Sequence, residues 1–190
     1  MKAATEADAR ATARAQRPTE PSSPEDAALV EAARAGDRDA FSRLYRRHAR
    51  LVHGLLLARV PVASADDLVQ EVFVRAWDRL SDLRDPQAFV AWIAQMTRRM
   101  AADHVRRQRP TEPLREAVAV HDAPRAEAIA VIEAIRGLPE PYVEPLLLRL
   151  VEGMSGKEIA ERTGLTPGSV RVNLHRGFRL LRERLQEDQG

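Results

Sequence analysis

Asp67, Gln70, Glu71, Val74 and Asp78 recur three or four residues apart, with Asp66 beside the first of them. On a helix that spacing gathers them into one surface stripe. A ridge of carboxylates with one apolar member suits docking against a basic helical partner; the plainer alternative is a charged face that keeps its helix soluble. Two arginine groups carry the opposite chemistry. Arg98, Arg99, Arg106, Arg107 and Arg109 form one, and Arg171, Arg176, Arg179, Arg182 and Arg184 the other. Ridges of this kind neutralise phosphates and release counterions, and each guanidinium adds a two-pronged fork for phosphate or guanine. Catalytic constellations are missing by comparison. His48, His53, His104, His121 and His175 fall on different segments, each more easily read as a surface or core residue than as a catalyst. No histidine joins Asp67 and Glu71 at metal-ligand spacing, and the chain has no cysteine, which removes disulfides and thiolate metal sites. No glycine loop is present to cradle a nucleotide phosphate. These residue types predict a binding protein rather than an enzyme, with no catalytic residue, metal or cofactor.

The elements that must hold these groups read as helices. From Met154 to Leu185 the chain shows a short helix, a glycine turn and a longer, arginine-rich helix, the layout of a helix-turn-helix. Ser155 and Glu158 have capping-box spacing, Gly164 sits where a left-handed cap is needed, and Thr166 then Pro167 start the second helix. Upstream, Ser23-Pro24-Glu25-Asp26 opens a first helix that Gly36-Asp37 breaks. A second helix runs from about Arg38 to Arg59, with Phe41, Leu44, Tyr45, His48, Leu51, Val52, Leu55 and Leu56 on its buried stripe. Ser64 with Asp67 is read as the cap of a third helix reaching about Leu80, whose inner side is Leu68, Val69, Val72, Phe73, Ala76 and Trp77. Asp85-Pro86 opens a fourth, with Phe89, Ile93, Met96 and Met100 inward and Gln95, Arg98, Arg99, Ala102 and Arg106 facing solvent. Pro145 interrupts an expected helix, which is therefore placed from about Glu144 onward.

The predicted fold class is all-α: two small helical domains on a flexible linker, the C-terminal one a helix-turn-helix. Residues 1–22 read as a disordered tail, 23–109 as the first domain, 110–124 as the linker and 125–190 as the second domain. The 30 Lys plus Arg and 28 Asp plus Glu nearly cancel, so nucleic-acid binding must come from segregated charge. No apolar run spans a bilayer and no signal-peptide core opens the chain, so a cytoplasmic location is expected.

The order and spacing of four segments between Ala27 and Leu185 resemble the extracytoplasmic function class of bacterial RNA polymerase sigma factors. They are Ala35-Gly36-Asp37 with Ala40-Phe41 and Leu44-Tyr45; Asp66 to Trp77; Phe89 to Ile93 followed by Asp103 to Arg107; and Leu138-Pro139 through Arg182. The resemblance implies that Asp66, Asp67, Gln70 and Glu71 bind the clamp helices of the polymerase β′ subunit, the β subunit being a further core partner. It implies minus-ten contacts by Arg98, Arg99, Asp103, Arg106 and Arg107, an unstacked base held by the loop Ser81 to Gln87 with Leu83 in its pocket, and minus-thirty-five contacts by Arg171, Val172, Asn173 and Arg176. The chain departs from the family where Arg99 replaces a usual Asn and where Val172 and Asn173 replace a common Ser and Arg. Such a factor would direct promoter-specific initiation without nucleotide hydrolysis, under an anti-sigma factor, with control from outside the chain. A sigma-like mimic that sequesters an anti-sigma protein would tend to lack the basic ridges. A stand-alone repressor would need a dimerisation element, and none is evident.

Overall fold

The computed structural model describes residues 24–108 and 123–187. Eight α-helices and no strand occur among them. The first group comprises α1 (Pro24–Arg34), α2 (Arg38–Leu57), α3 (Val62–Asp78) and α4 (Phe89–Arg107). The second comprises α5 (Ala123–Arg136), α6 (Glu140–Leu150), α7 (Gly156–Thr163) and α8 (Pro167–Glu187). The expected tail 1–22 and most of the expected linker, together with Arg109 and His121, lie outside the described residues. Ala123 and Pro124, assigned to the linker from sequence, begin α5 instead.

Helix α2 is the spine of the first group. Leu44, Leu51, Val52, Leu55 and Leu56 are fully buried, and α1, α3 and α4 pack around them. Burying a leucine of this kind contributes about 1.5–3 kcal/mol, so this stripe dominates the local energetics. Asp37 caps α2 by accepting from the Asp39 and Ala40 N–H groups at 2.9 and 3.0 Å. An aromatic cluster orients α3: Phe41 meets Trp77 edge-on at 5.0 Å and Tyr45 lies 4.6 Å from Phe73. With that face anchored, the opposite face of α3 must point to solvent.

Several boundaries differ from expectation. Helix α3 starts at Val62, with Pro61 in the cap position and no side-chain cap. Ser64 therefore lies inside the first turn, where its N–H donates to the Pro61 carbonyl at 3.0 Å. A single 3-10 turn, Pro86–Ala88, separates the Asp85 cap from α4. Pro145 sits inside α6 rather than before it. The helix tolerates the lost hydrogen bond because Val143, Leu146, Leu147 and Leu148 are all buried on the same segment, and packing outweighs a local penalty of about 3 kcal/mol.

The two helical domains pack against each other. Helix α2 packs on α6, and α4 on α7. A shared apolar cluster unites Leu51, Leu55, Val90 and Ala94 of the first group with Leu148, Met154, Ile159, Ala160 and Val170 of the second. Gly54 marks the tightest crossing: a Cβ there would meet Leu148 Cδ2 at 2.6 Å.

Candidate docking and nucleic-acid surfaces

The inner side of α3 buries Leu68, Val69, Val72, Phe73 and Ala76. Its outer side leaves Asp66, Asp67, Gln70, Glu71 and Asp78 exposed, with Val74 at 63% exposure among them. One apolar side chain thus stands open to water among carboxylates, as the helical period predicts. Asp66 is 90% exposed and its Oδ1 lies 3.7 Å from His53 Nε2.

Between α3 and α4 the chain folds into two shallow clefts that share Leu83, itself only 4% exposed. One cleft, of about 560 Å³, runs between Arg34, Gly36 and Trp77 on one side and Leu80, Ser81 and Arg84 on the other. The Arg34 Nε–H donates to the Leu80 carbonyl at 3.2 Å, which ties the loop to α1. The second cleft, of about 550 Å³, is lined by Leu83, Arg84, Trp92, Gln95 and Arg98, and its far wall is Arg162 and Thr163 of α7. On α4 itself Arg99, Arg106 and Arg107 are exposed. Arg106 pairs with Asp103, and the Arg107 Nε–H reaches the Asp103 carbonyl at 3.4 Å.

Arg98 departs from its expected solvent-facing position. Its Nε and Nη2 donate to Glu144 Oε1 and Oε2 at 3.0 and 2.8 Å, a two-pronged bond from α4 to α6. The Arg59 Nη1–H donates to Glu144 Oε1 at 2.5 Å, so one carboxylate holds two guanidinium groups. Burial pushes the Glu144 carboxyl upward, but Arg98 and then Arg59 outweigh it and hold it below the ordinary carboxylate range. A second polar contact joins the groups where His53 Nδ1 lies 2.5 Å from Glu152 Oε1. That hydrogen bond raises the His53 pKa above its ordinary value, against the opposing effect of burial. Arg162 completes the set by donating to the Arg47 carbonyl at 2.7 Å. Sequence spacing carried no sign of these contacts, because each joins residues 85 or more apart, apart from Arg98–Glu144 at 46.

The helix-turn-helix has the punctuation its residues require. Ser155 and Glu158 form a reciprocal capping box on α7, at 3.2 and 2.8 Å. Gly164 adopts φ 77°, the left-handed cap, and Thr166 Oγ1 accepts from the Ser169 N–H at 3.1 Å. Along α8, Val170, Asn173, Gly177 and Leu181 face inward. Arg171, Val172, His175, Arg176 and Arg179 form the exposed face, with Val172 at 45% exposure. Asn173 is thus the exception among the four expected minus-thirty-five contacts: at 9% exposure it lies on the packed stripe. His175 joins the outer face in its place. The i, i+4 step from Arg171 could have found it, but the histidine was read only as a poor catalyst.

Comparison with known proteins agrees with this layout. Residues 44–111 match Sigma-70 region 2 and residues 128–181 match Sigma-70, region 4. The chain is 33% identical over 168 residues to a probable RNA polymerase sigma factor, RfaY, of Xanthomonas campestris pv. campestris, covering 80% of this chain and 42% of that one. It thus spans less than half the length of that relative. It is 32% identical over 151 residues to the ECF RNA polymerase sigma factor SigM of Mycobacterium tuberculosis, covering 77% of each. Among solved structures, CnrH in complex with the cytosolic domain of CnrY superposes with a TM-score of 0.61 at 28% identity, covering 86% of this chain and 99% of that one. Two helical units, one ending in a helix-turn-helix, and relatives matched along most of both place this chain in the extracytoplasmic function class of RNA polymerase sigma factors.

Proposed function

We propose that the protein is a promoter-specificity subunit of RNA polymerase, with no chemical step of its own. Residues 23–109 form the core-binding and minus-ten unit, and residues 125–190 the minus-thirty-five unit. The observation that carries this reading is the separation of charge: an exposed carboxylate stripe on α3, against guanidinium faces on α4 and α8. Asp66, Asp67, Gln70 and Glu71 bind the clamp helices of the β′ subunit, with β as a further contact. Arg98, Arg99, Asp103, Arg106 and Arg107 meet the minus-ten element, Asp103 pairing with Arg106 and taking the Arg107 Nε–H on its carbonyl. The cleft beside Leu83 takes an unstacked base; aromatic and guanidinium planes such as Trp77 and Arg84 are the groups on which bases stack. Arg171, Val172, His175 and Arg176 enter the major groove from the first half of α8, as recognition helices do. Binding energy from the polymerase and from base capture then drives strand opening. The site of action is the cytoplasm, and an anti-sigma protein completes the partner list. The similarity to CnrH, solved with the cytosolic domain of CnrY, supports that last element.

Transcription in vitro from genomic DNA of the source organism, with core polymerase alone and with the protein added, tests the reading. Mapped RNA 5′ ends should include new start sites that depend on the added chain. A set of start sites identical with and without it would defeat the proposal.

A further inference from the structure

The cleft between Trp77 and Leu83 has one wall on α1 and another on a short turn, and the Arg34 side chain ties the two together. Arg34 ends α1, and its Nε–H donates to the Leu80 carbonyl at 3.2 Å. Leu80 opens the 3-10 turn Leu80–Asp82, whose own bond to that carbonyl, from the Leu83 N–H, is longer at 3.4 Å. Glu31 Oε1 braces the guanidinium from behind by accepting from Arg34 Nη1 at 3.1 Å. Gly36, at φ 96°, turns the chain beyond α1 and lines the same cleft. We infer that Arg34 is a positioning residue for base capture: its bond to the Leu80 carbonyl fixes the wall Leu80–Arg84 against α1, so that the cleft is formed before a strand arrives.

This inference rests on the base-capture reading above, and preorganisation decides its direction. A wall that is already ordered costs nothing more to order when a base enters. An untethered turn must be ordered at that moment, and the strand loses that part of its affinity. Leu80 and Leu83 are buried and anchor the turn from below, but Ser81, Asp82 and Arg84 are exposed. The tether therefore matters to a group that occupies the cleft. Attraction between a cation and phosphates is different, because it acts on a strand whether or not a given base is present. Two substitutions separate these roles. The amide nitrogen of glutamine stands as many bonds from Cα as Arg34 Nε does, so Arg34→Gln keeps a donor for the Leu80 carbonyl and removes the charge. Arg34→Met keeps an unbranched stem with neither donor nor charge. Both residues suit a helix, so α1 is left intact.

The experiment uses core polymerase with the full chain, and a labelled single-stranded oligonucleotide copying the non-template strand upstream of a mapped start site. A matching series of strands carries one abasic site at each position in turn. With the unaltered chain, one abasic position should weaken binding most, and it marks the captured base. Arg34→Met should bind the intact strand roughly tenfold less tightly, the low end for losing a hydrogen bond with a charged donor. On the strand abasic at the marked position it should match the unaltered chain. Arg34→Gln should stay within about threefold of the unaltered chain on both strands. An equal loss by Arg34→Met on the two strands would overturn the inference, since charge or folding would then explain it. So would no loss at all, an Arg34→Gln chain as weak as Arg34→Met, or an Arg34→Met chain that no longer binds core. If no abasic position matters to the unaltered chain, the base-capture reading itself falls, and this inference with it.

Discussion

Reversing two charges on α3 separates docking from folding. Asp67 and Glu71 are exposed and lie one turn apart on the face opposite the buried Leu68, Val69, Val72 and Phe73. Asp66 is left in place because its Oδ1 is 3.7 Å from His53. In Asp67→Lys/Glu71→Lys one like-charge i, i+4 pair replaces another, so fold stability should move by no more than about 0.5 kcal/mol. Core binding is another matter. An exposed ion pair is worth about 0.2–1 kcal/mol, reversal turns attraction into repulsion of similar size, and desolvation under a docked helix raises both terms. Two reversals should thus cost about 2–4 kcal/mol, or roughly 30-fold to 1000-fold in affinity. Anisotropy titration of labelled chain with core polymerase measures the loss. Thermal melting and oligonucleotide binding by the free chain serve as controls. An affinity for core within about twofold of the unaltered chain would refute the assignment of the stripe.

Three further outcomes are expected. Gly164→Ala forces a side chain into a φ of 77° in the helix-turn-helix turn and should destabilise by about 1–2 kcal/mol, visible as a lowered Tm. On α8, Arg171→Ala should weaken promoter binding by about 1–3 kcal/mol and flatten its salt dependence, whereas Asn173→Ala, on the packed stripe, should lower stability with little change in promoter preference. Stability should also depend on pH. His53 has a raised pKa in contact with Glu152, with Asp66 of α3 nearby and Arg50 Nε 3.9 Å from Glu152. Its contribution is fully present below the ordinary histidine value of 6.5 and is lost as pH rises through the raised one. Glu144, lowered, acts oppositely: its contribution is lost only as pH falls through its depressed value. Thermal stability should therefore fall on the alkaline side, and His53→Gln should flatten that limb.

Local chemistry was legible where one segment contains all the interacting parts. The capping box of Ser155 and Glu158, the left-handed Gly164 and the Thr166 cap all involve atoms three or fewer residues apart, so residue type alone dictates them. The same holds for the outward stripe on α3, since a 3.6-residue period leaves one side for the core and one for water. Side chains whose neighbours come from elsewhere in the chain were not legible. Arg98 belongs to the exposed side of α4 by period, yet α6 approaches there and Glu144 takes its fork. Asn173 looks like a groove contact by position, yet its angle around α8 matches Val170 and Leu181 and packing draws it in. Pro145 reads as a helix start, yet burial of Val143 before it and of Leu146, Leu147 and Leu148 after it carries the helix through. Periodicity reports only which residues share a face of their own helix; which other helix covers that face depends on how distant segments come together, and here that meeting set the state of Arg98, Glu144 and His53.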